Sequence, residues 1–195
     1  TFSSTGAASH RLTAIDGGAI IFNDGAEFTA GQGFVGNPFG GTNLSSVVFD
    51  SGASYVCIAG GNPFGAPEPD SVVVFRKGSL FSLQANVTPS FAGRTYANFE
   101  LNVPEHEVMA TGSSALSIDD LILTAGRLNL NMTGDPGHSI KGDIVISSGA
   151  YLDFSPAIPG TVHLDGEATQ TISGVGQQAA SGTATLAIDN TKGVV

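Results

Sequence analysis

Asp119 and Asp120 are the one adjacent pair of carboxylates in the chain, and two carboxyl groups are the usual requirement for glycoside hydrolysis. Both groups must reach the same sugar, whereas neighbouring residues of a β-strand point to opposite faces. The pair therefore suits a corner between strands better than a shared substrate. The seven basic residues are scattered, which disfavours a lyase that acts on acidic sugars. No catalytic residue is predicted.

The histidines show none of the spacings that are typical of zinc sites. HxH and HExxH patterns are both absent from the sequence. Glu105-His106-Glu107 directly follows a proline and is typical of a solvated turn. We therefore predict no zinc site at any of the four histidines: His10, His106, His138 and His163.

Other cofactor chemistry also lacks a motif. The chain has no DxDxDG calcium loop and no GxSxG nucleophile motif. The glycine-rich stretch near Gly31 lacks the Lys and the Ser or Thr of a phosphate-binding loop. We expect no cofactor, with calcium left open as an alternative through loop carboxylates such as Asp16, Asp24 and Asp50.

Composition excludes several classes of protein. Of the 195 residues, 41% are apolar and 12% are charged, which is unlike a disordered chain. The formal net charge of −10 repels nucleic-acid phosphates and anionic lipid. No apolar run approaches the roughly 18 residues of a membrane span. The single cysteine, Cys57, lies in the apolar run YVCI and is predicted to be a core residue rather than a nucleophile.

A repeat organises the elements that would position any site. Its pattern is three apolar residues, two polar residues, a glycine and a second short apolar strand, as in residues 20–28, 47–55 and 73–81. At residue 99 the match is poor, because Asn102 stands where the glycine should be. Successive anchors are 27, 26, 24, 24, 23, 18 and 24 residues apart. The last apolar residue of each copy gives eight anchors: Phe22, Phe49, Phe75, Phe99, Leu123, Ile146, Leu164 and Ile188.

This period predicts an all-β parallel β-helix, or β-solenoid, of about eight coils of about 24 residues. A corner between strands often requires a positive φ, which favours glycine. The predicted corner glycines are Gly25, Gly52, Gly78, Gly126 and Gly149. Alternation after each corner predicts one inward-facing core ladder: Phe28, Tyr55, Cys57, Phe81, Leu83, Leu152 and Phe154.

We expect a single domain over residues 1–195, since no linker interrupts the repeat. Residues 1–18 do not repeat and are predicted to form an N-terminal cap. Residues 31–42, 60–70, 89–94 and 135–139 are rich in Gly or Pro and are predicted loops, where solenoids often carry their binding groups. The C-terminal edge is expected to be uncapped, because Val194-Val195 stand where the pattern begins another strand.

The last third of the chain resembles a known group of proteins. TQTISG at residues 169–174 and LAIDNTKGV at residues 186–194 resemble a recurring unit of large secreted, adhesin-like cell-surface proteins of Bacteroidetes and related bacteria. The Gly-Asn-Thr texture is also similar to autotransporter passenger repeats. The resemblance covers about residues 140–195. It implies an extracellular β-solenoid stalk or adhesin segment, and it supplies no catalytic residues.

These observations favour a non-catalytic extracellular structural or adhesive module at the cell surface, such as a stalk, adhesin or fibre segment. The alternative is a carbohydrate-binding or polysaccharide-degrading β-helix protein. The expected partners are the rest of a longer parent chain or further copies stacking end to end, with surface glycans as a further candidate. Neither nucleic acid nor membrane insertion is expected.

Overall fold

The structure is a computed structural model that describes residues 2–4, 11–41, 43–154, 160–179 and 185–195. Within these ranges the chain forms strands and turns, and no helix. The described residues accordingly contain no helix with the length and apolarity needed to cross a lipid bilayer.

The strands are short, apart from two that continue through a corner. In chain order they are β1 (Phe2–Ser4), β2 (Ile20–Phe22), β3 (Glu27–Ala30), β4 (Val47–Phe49), β5 (Ser54–Cys57), β6 (Val73–Phe75), β7 (Leu80–Leu83), β8 (Arg94–Tyr96), β9 (Asn98–Gly112), β10 (Leu116–Ile118), β11 (Leu121–Met132), β12 (Gly134–Ile140), β13 (Ile144–Ile146), β14 (Tyr151–Asp153), β15 (Gly160–Leu164), β16 (Ile172–Gly174), β17 (Gln177–Ala179) and β18 (Thr185–Ile188).

Parallel pairing stacks these strands into three sheets. The long sheet runs β1-β3-β5-β7-β9-β11-β13-β16, with β14 and β17 joined to it through β11. A three-stranded sheet runs β2-β4-β6, and a five-stranded sheet runs β18-β15-β12-β10-β8. Each strand pairs with the equivalent strand one coil away. The predicted β-solenoid is therefore confirmed, with about seven turns where the sequence predicted eight.

The core of the first coils is a stack of aromatic rings. Phe28, Tyr55 and Phe81 occupy one register position in β3, β5 and β7, with ring centroids 5.7 and 5.2 Å apart. Cys57 lies between Ala30 and Leu83 in the neighbouring position and is buried. Burial raises the pKa of its thiol to about 11. Stacking like on like gives each side chain the same shape of neighbour above and below, which favours close packing.

The register changes at Phe99, and here the structure differs from the anchor series. Phe99 pairs with Phe81 in β7 and with Leu121 in β11, so it continues the stack that begins at Phe28. The eight anchors therefore lie in three separate sheets rather than in one column. The cause is local: Leu101 pairs with Leu123 and Val108 with Leu128, so six residues of β9 turn a corner that takes four in β11.

The predicted core ladder likewise divides into two stacks. Leu152 and Phe154 are buried, but Leu152 pairs with Leu128 on the far side of the Gly126 corner. The stack of Phe81 and Leu83 continues instead through Phe99 and Leu101. A glycine precedes the inward pair in both halves of the chain, so the local pattern is the same at two different corners of the coil.

All five predicted corner glycines adopt a positive φ, between 72° and 95°. Part of the predicted N-terminal cap is an additional rung, because β1 pairs with β3. Residues 11–18 contain no strand, and residues 1 and 5–10 lie outside the described part of the chain.

Candidate functional site

The largest concavity is a groove of about 710 Å³ along one corner of the solenoid. The corner lies where strands of the five-stranded sheet end and strands of the long sheet begin, between β10 and β11 and again between β12 and β13. Successive coils bring residues about 22 positions apart in the chain next to one another. The charged residues that line this corner groove are Lys77, Asp119, Asp120, Lys141, Asp143, Asp165 and Glu167.

A ladder of side-chain acceptors joins the coils along the groove. The side-chain oxygen of Asn98 accepts the backbone N–H of Asp120 at 3.3 Å. Asp120 accepts the N–H of Asp143 at 2.8 Å, and Asp143 accepts that of Thr171 at 2.7 Å. Each acceptor thus satisfies a backbone donor of the next coil, which would otherwise have to be satisfied by solvent.

A buried glutamine extends this network beneath the groove. The amide nitrogen of Gln170 donates to the carbonyl oxygens of Ile140 and Gly142 at 2.9 and 2.8 Å. Its oxygen accepts from the backbone of Gly166 and from the side chain of Asn190. All these polar groups are paired, as buried polar groups generally are.

Asp119 is the carboxylate of the groove with a perturbed proton affinity. Partial burial raises its pKa, and the positive charges of Lys77 and Lys141 oppose that shift. Asp119 and Asp120 lie at the corner between β10 and β11, and both line the groove. Asp120 is held by the ladder, so the two carboxyl groups have different surroundings despite their adjacency.

His163 forms a second polar cluster, on the five-stranded sheet. Its Nε2 contacts Asp135 at 2.7 Å, and its Nδ1 contacts Asp189. Both contacts raise the pKa of His163, that with Asp189 more strongly. A neutral imidazole carries one N–H, so only the protonated ring donates to both carboxylates. We name these three residues the histidine clasp.

The other described histidines have structural contacts. His138 is fully buried; its Nδ1 accepts the N–H of Leu116 at 3.3 Å, and its Nε2 lies 3.2 Å from the carbonyl oxygen of Thr133. Because a carbonyl only accepts, Nε2 carries the proton. His106 lies 3.3 Å from the carbonyl oxygen of Val87. His10 lies outside the described residues.

The sequence did not indicate the corner groove or the histidine clasp. Asp135, His163 and Asp189 are separated by 28 and 26 residues, so a comparison of polar residues at the repeat period would have brought them together. The same comparison would have aligned Asn98, Asp120 and Asp143.

The loop carboxylates considered for calcium lie apart from this groove. Asp50 accepts the N–H of Ser51 at 3.0 Å and pairs with Arg76 at 3.3 Å. Asp16 and Asp24 are exposed. In the part of the chain that the structure describes, no group of three or more His, Cys, Asp or Glu side chains is arranged to hold a metal ion.

Comparison with known proteins adds no relative to this geometry. No family model matches the chain, and neither a curated protein nor a solved structure is significantly similar to it.

Proposed function

We propose that this chain is a non-catalytic structural or adhesive module of an extracellular protein, a rigid β-solenoid segment of a stalk, adhesin or fibre. The observation that carries the proposal is the ladder of Asn98, Asp120 and Asp143. Two of the carboxylates that meet in the corner groove hold the next coil through its backbone. Their arrangement supports the rod rather than a reaction.

The character of the chain supports an extracellular site of action. Its resemblance to adhesin-like cell-surface proteins of Bacteroidetes lies in residues 169–174 and 186–194, within the last coils. Low charge and a continuous apolar core suit a chain whose role is to persist as a rod. The proposed partners are the remainder of a longer chain or further copies of it, because Ile188 continues an inward position whose outer side no described strand covers.

Substitution of Asp120 separates the structural from the catalytic interpretation. Asp120→Asn keeps an oxygen that accepts the N–H of Asp143, just as Asn98 does one coil earlier. Asp120→Ala removes that acceptor. We expect Asp120→Asn to retain the melting temperature, and Asp120→Ala to lower the free energy of unfolding by about 1 kcal/mol.

The companion measurement is the release of reducing ends from a panel of polysaccharides. The proposal expects no release by the unchanged chain. Release that Asp120→Asn abolishes, while its stability is kept, would show that the carboxylate is catalytic and the module an enzyme.

A second candidate function is the binding of a glycan along the corner groove. The groove crosses five successive corners, which at the spacing of stacked strands is a length of about 19 Å. Asp119, Glu167, Lys77 and Lys141 offer side-chain donors and acceptors for sugar hydroxyls. Binding on a glycan array that Asp119→Ala weakens, and Asp50→Ala does not, is the expected result for this candidate.

A further inference from the structure

Arg94 is a charged side chain inside the solenoid. It begins β8 on the same side as the buried Tyr96, and only 6% of the residue is exposed. Its guanidinium carbon lies 5.6 Å from the ring centroid of Phe64. A buried charge is costly unless it is paired and hydrogen-bonded, so the partners of this guanidinium determine what it does.

These partners are incomplete. Nη1 donates to the carbonyl oxygens of Ala92 and Gly93 at 3.3 and 3.2 Å, while Nε is buried without a hydrogen-bond partner. Among the described residues, no carboxylate forms an ion pair with Arg94. The guanidinium therefore keeps most of its donors and its full charge without a matching anion.

Arg94 lines a cavity of about 320 Å³ that we name the loop pocket. Two of the predicted loops, in residues 60–70 and 89–94, meet there beside the outer end of β9. The walls combine hydroxyl groups with apolar surface: Pro67, Thr88, Ser90, Phe91, Met109 and Thr111. A concave site with apolar walls and a few converging polar groups is the usual form of a small-molecule site.

Glu68 limits the charge of an occupant. Its backbone N–H donates to the carbonyl oxygen of Gly93 at 2.8 Å, which places this loop against the start of β8. Partial burial raises the pKa of the Glu68 carboxyl, and the charge of Arg94 opposes the shift. One guanidinium with a carboxylate in its vicinity favours a singly charged anion over a phosphate dianion.

We infer that the loop pocket binds a singly charged carboxylate on a small hydroxylated body, the chemistry of a uronic acid. The planar guanidinium matches a carboxylate, Thr88, Ser90 and Thr111 match sugar hydroxyls, and Phe91 and Met109 offer apolar surface. This site lies apart from the corner groove. Its failure would leave the structural role untouched, because that role rests on Asn98, Asp120 and Asp143.

Isothermal titration calorimetry with glucuronate, its methyl ester and glucose is the test. The ester keeps the body and removes the charge, so we expect it to bind at least about tenfold more weakly than glucuronate. Equal binding of glucuronate and its ester would overturn the inference. So would the absence of glucuronate binding at about 10 mM.

Two substitutions change the charge in opposite directions. Arg94→Met keeps the length of the side chain and should abolish glucuronate binding, whereas Arg127→Met, at an exposed arginine, should leave it unchanged. Glu68→Gln removes the competing negative charge and should strengthen binding several-fold. Glu68→Gln still decides the matter if Arg94→Met fails to fold, since unchanged or weaker binding by it contradicts the inference.

The source of the acid is read from a further titration with a short oligouronate. Tighter binding of the oligouronate than of glucuronate identifies the end of an acidic polysaccharide as the occupant. Tighter binding of glucuronate identifies the free sugar acid. Both results support the carboxylate site, which requires only that Arg94→Met abolishes the binding that is seen.

Discussion

At the scale of single residues, Tyr55 and Tyr96 show how differently two buried hydroxyls are treated. Both side chains are fully buried among aromatic rings. Tyr96 donates its hydroxyl to the carbonyl oxygen of Ser90 at 2.6 Å, whereas the hydroxyl of Tyr55 has no partner among the described residues. A buried polar group without a hydrogen bond costs about 1–3 kcal/mol, so Tyr55 is a weak point in its own stack.

The two tyrosines therefore respond in opposite ways to the same substitution. We expect Tyr55→Phe to raise the free energy of unfolding by about 1 kcal/mol, because it makes the position like Phe28 and Phe81 on either side. Tyr96→Phe should lower it by about 1 kcal/mol, because the carbonyl oxygen of Ser90 loses its donor. Chemical denaturation measures both, and destabilisation by Tyr55→Phe would show that its hydroxyl has a partner.

The histidine clasp makes stability depend on pH. The raised pKa of His163 contributes stability that is full below its ordinary value of 6.5 and is lost as pH rises through the pKa of the folded state. Asp135 has a lowered pKa, so its contribution is present above its ordinary value of 3.8 and is lost as pH falls through the folded-state pKa. The clasp is therefore strongest between the two ordinary values.

We expect a higher melting temperature at about pH 5.5 than at about pH 8.5, with the difference reduced in His163→Gln. His106→Gln is the matched control, since this histidine contacts only a backbone carbonyl among the described residues. An unchanged pH dependence in His163→Gln would assign the effect to other groups.

At the scale of elements, the corner of β9 and β11 is the most crowded turn of the rod. The two extra residues of β9 loop over Gly126, and Glu105 in that loop adopts a φ of 60°. A Cβ at Gly126 would lie 2.9 Å from the carbonyl oxygen of His106 and closer still to that of Val103. At Gly149, one corner further along, a Cβ would meet nothing within 4 Å.

These two glycines separate backbone strain from close packing. Gly149→Ala should cost roughly 1 kcal/mol, the price of a positive φ for alanine. Gly126→Ala should cost about 3 kcal/mol or more, because the new methyl group also displaces backbone that cannot rotate away. Urea denaturation of both variants provides the comparison, and equal losses would show that the β9 loop moves aside freely.

Much of this architecture could be predicted, because one period controls both sequence and contacts. The stacks of Phe28, Tyr55 and Phe81 follow from identical local patterns 27 and 26 residues apart. The change of register at Phe99 could not, because the six-residue corner lacks a glycine at Asn102. The corner groove could not either, since its charged residues converge only once the coils are stacked in register.

At the scale of the whole molecule, the solenoid is closed along its sides and open at its last coil. Leu164 and Ile188 hold the same inward position in β15 and β18. Leu164 is fully buried, whereas 62% of Ile188 is exposed. No described strand pairs with the outer edge of β18, and an exposed strand edge beside apolar side chains recruits other strands.

We expect the isolated chain to associate as its concentration rises, through the open coil. Ile188→Lys should suppress that association, because a charge at the inward position opposes stacking of another coil. Ile15→Lys is the control, since Ile15 is exposed at the other end of the rod. Sedimentation velocity decides the outcome, and a chain that remains monomeric without substitution would contradict the expectation.

The division of the core into aromatic and aliphatic parts has an optical consequence. The stacked rings run from Phe22 and Phe28 to Phe99, and the stack then continues as Leu121 and Ile144. The chain has no tryptophan, so near-ultraviolet dichroism reports mainly on the first coils. Since each coil contacts only its neighbours, the last coils can unfold while the first remain intact. Such fraying would reduce the far-ultraviolet signal while leaving the aromatic bands almost unchanged.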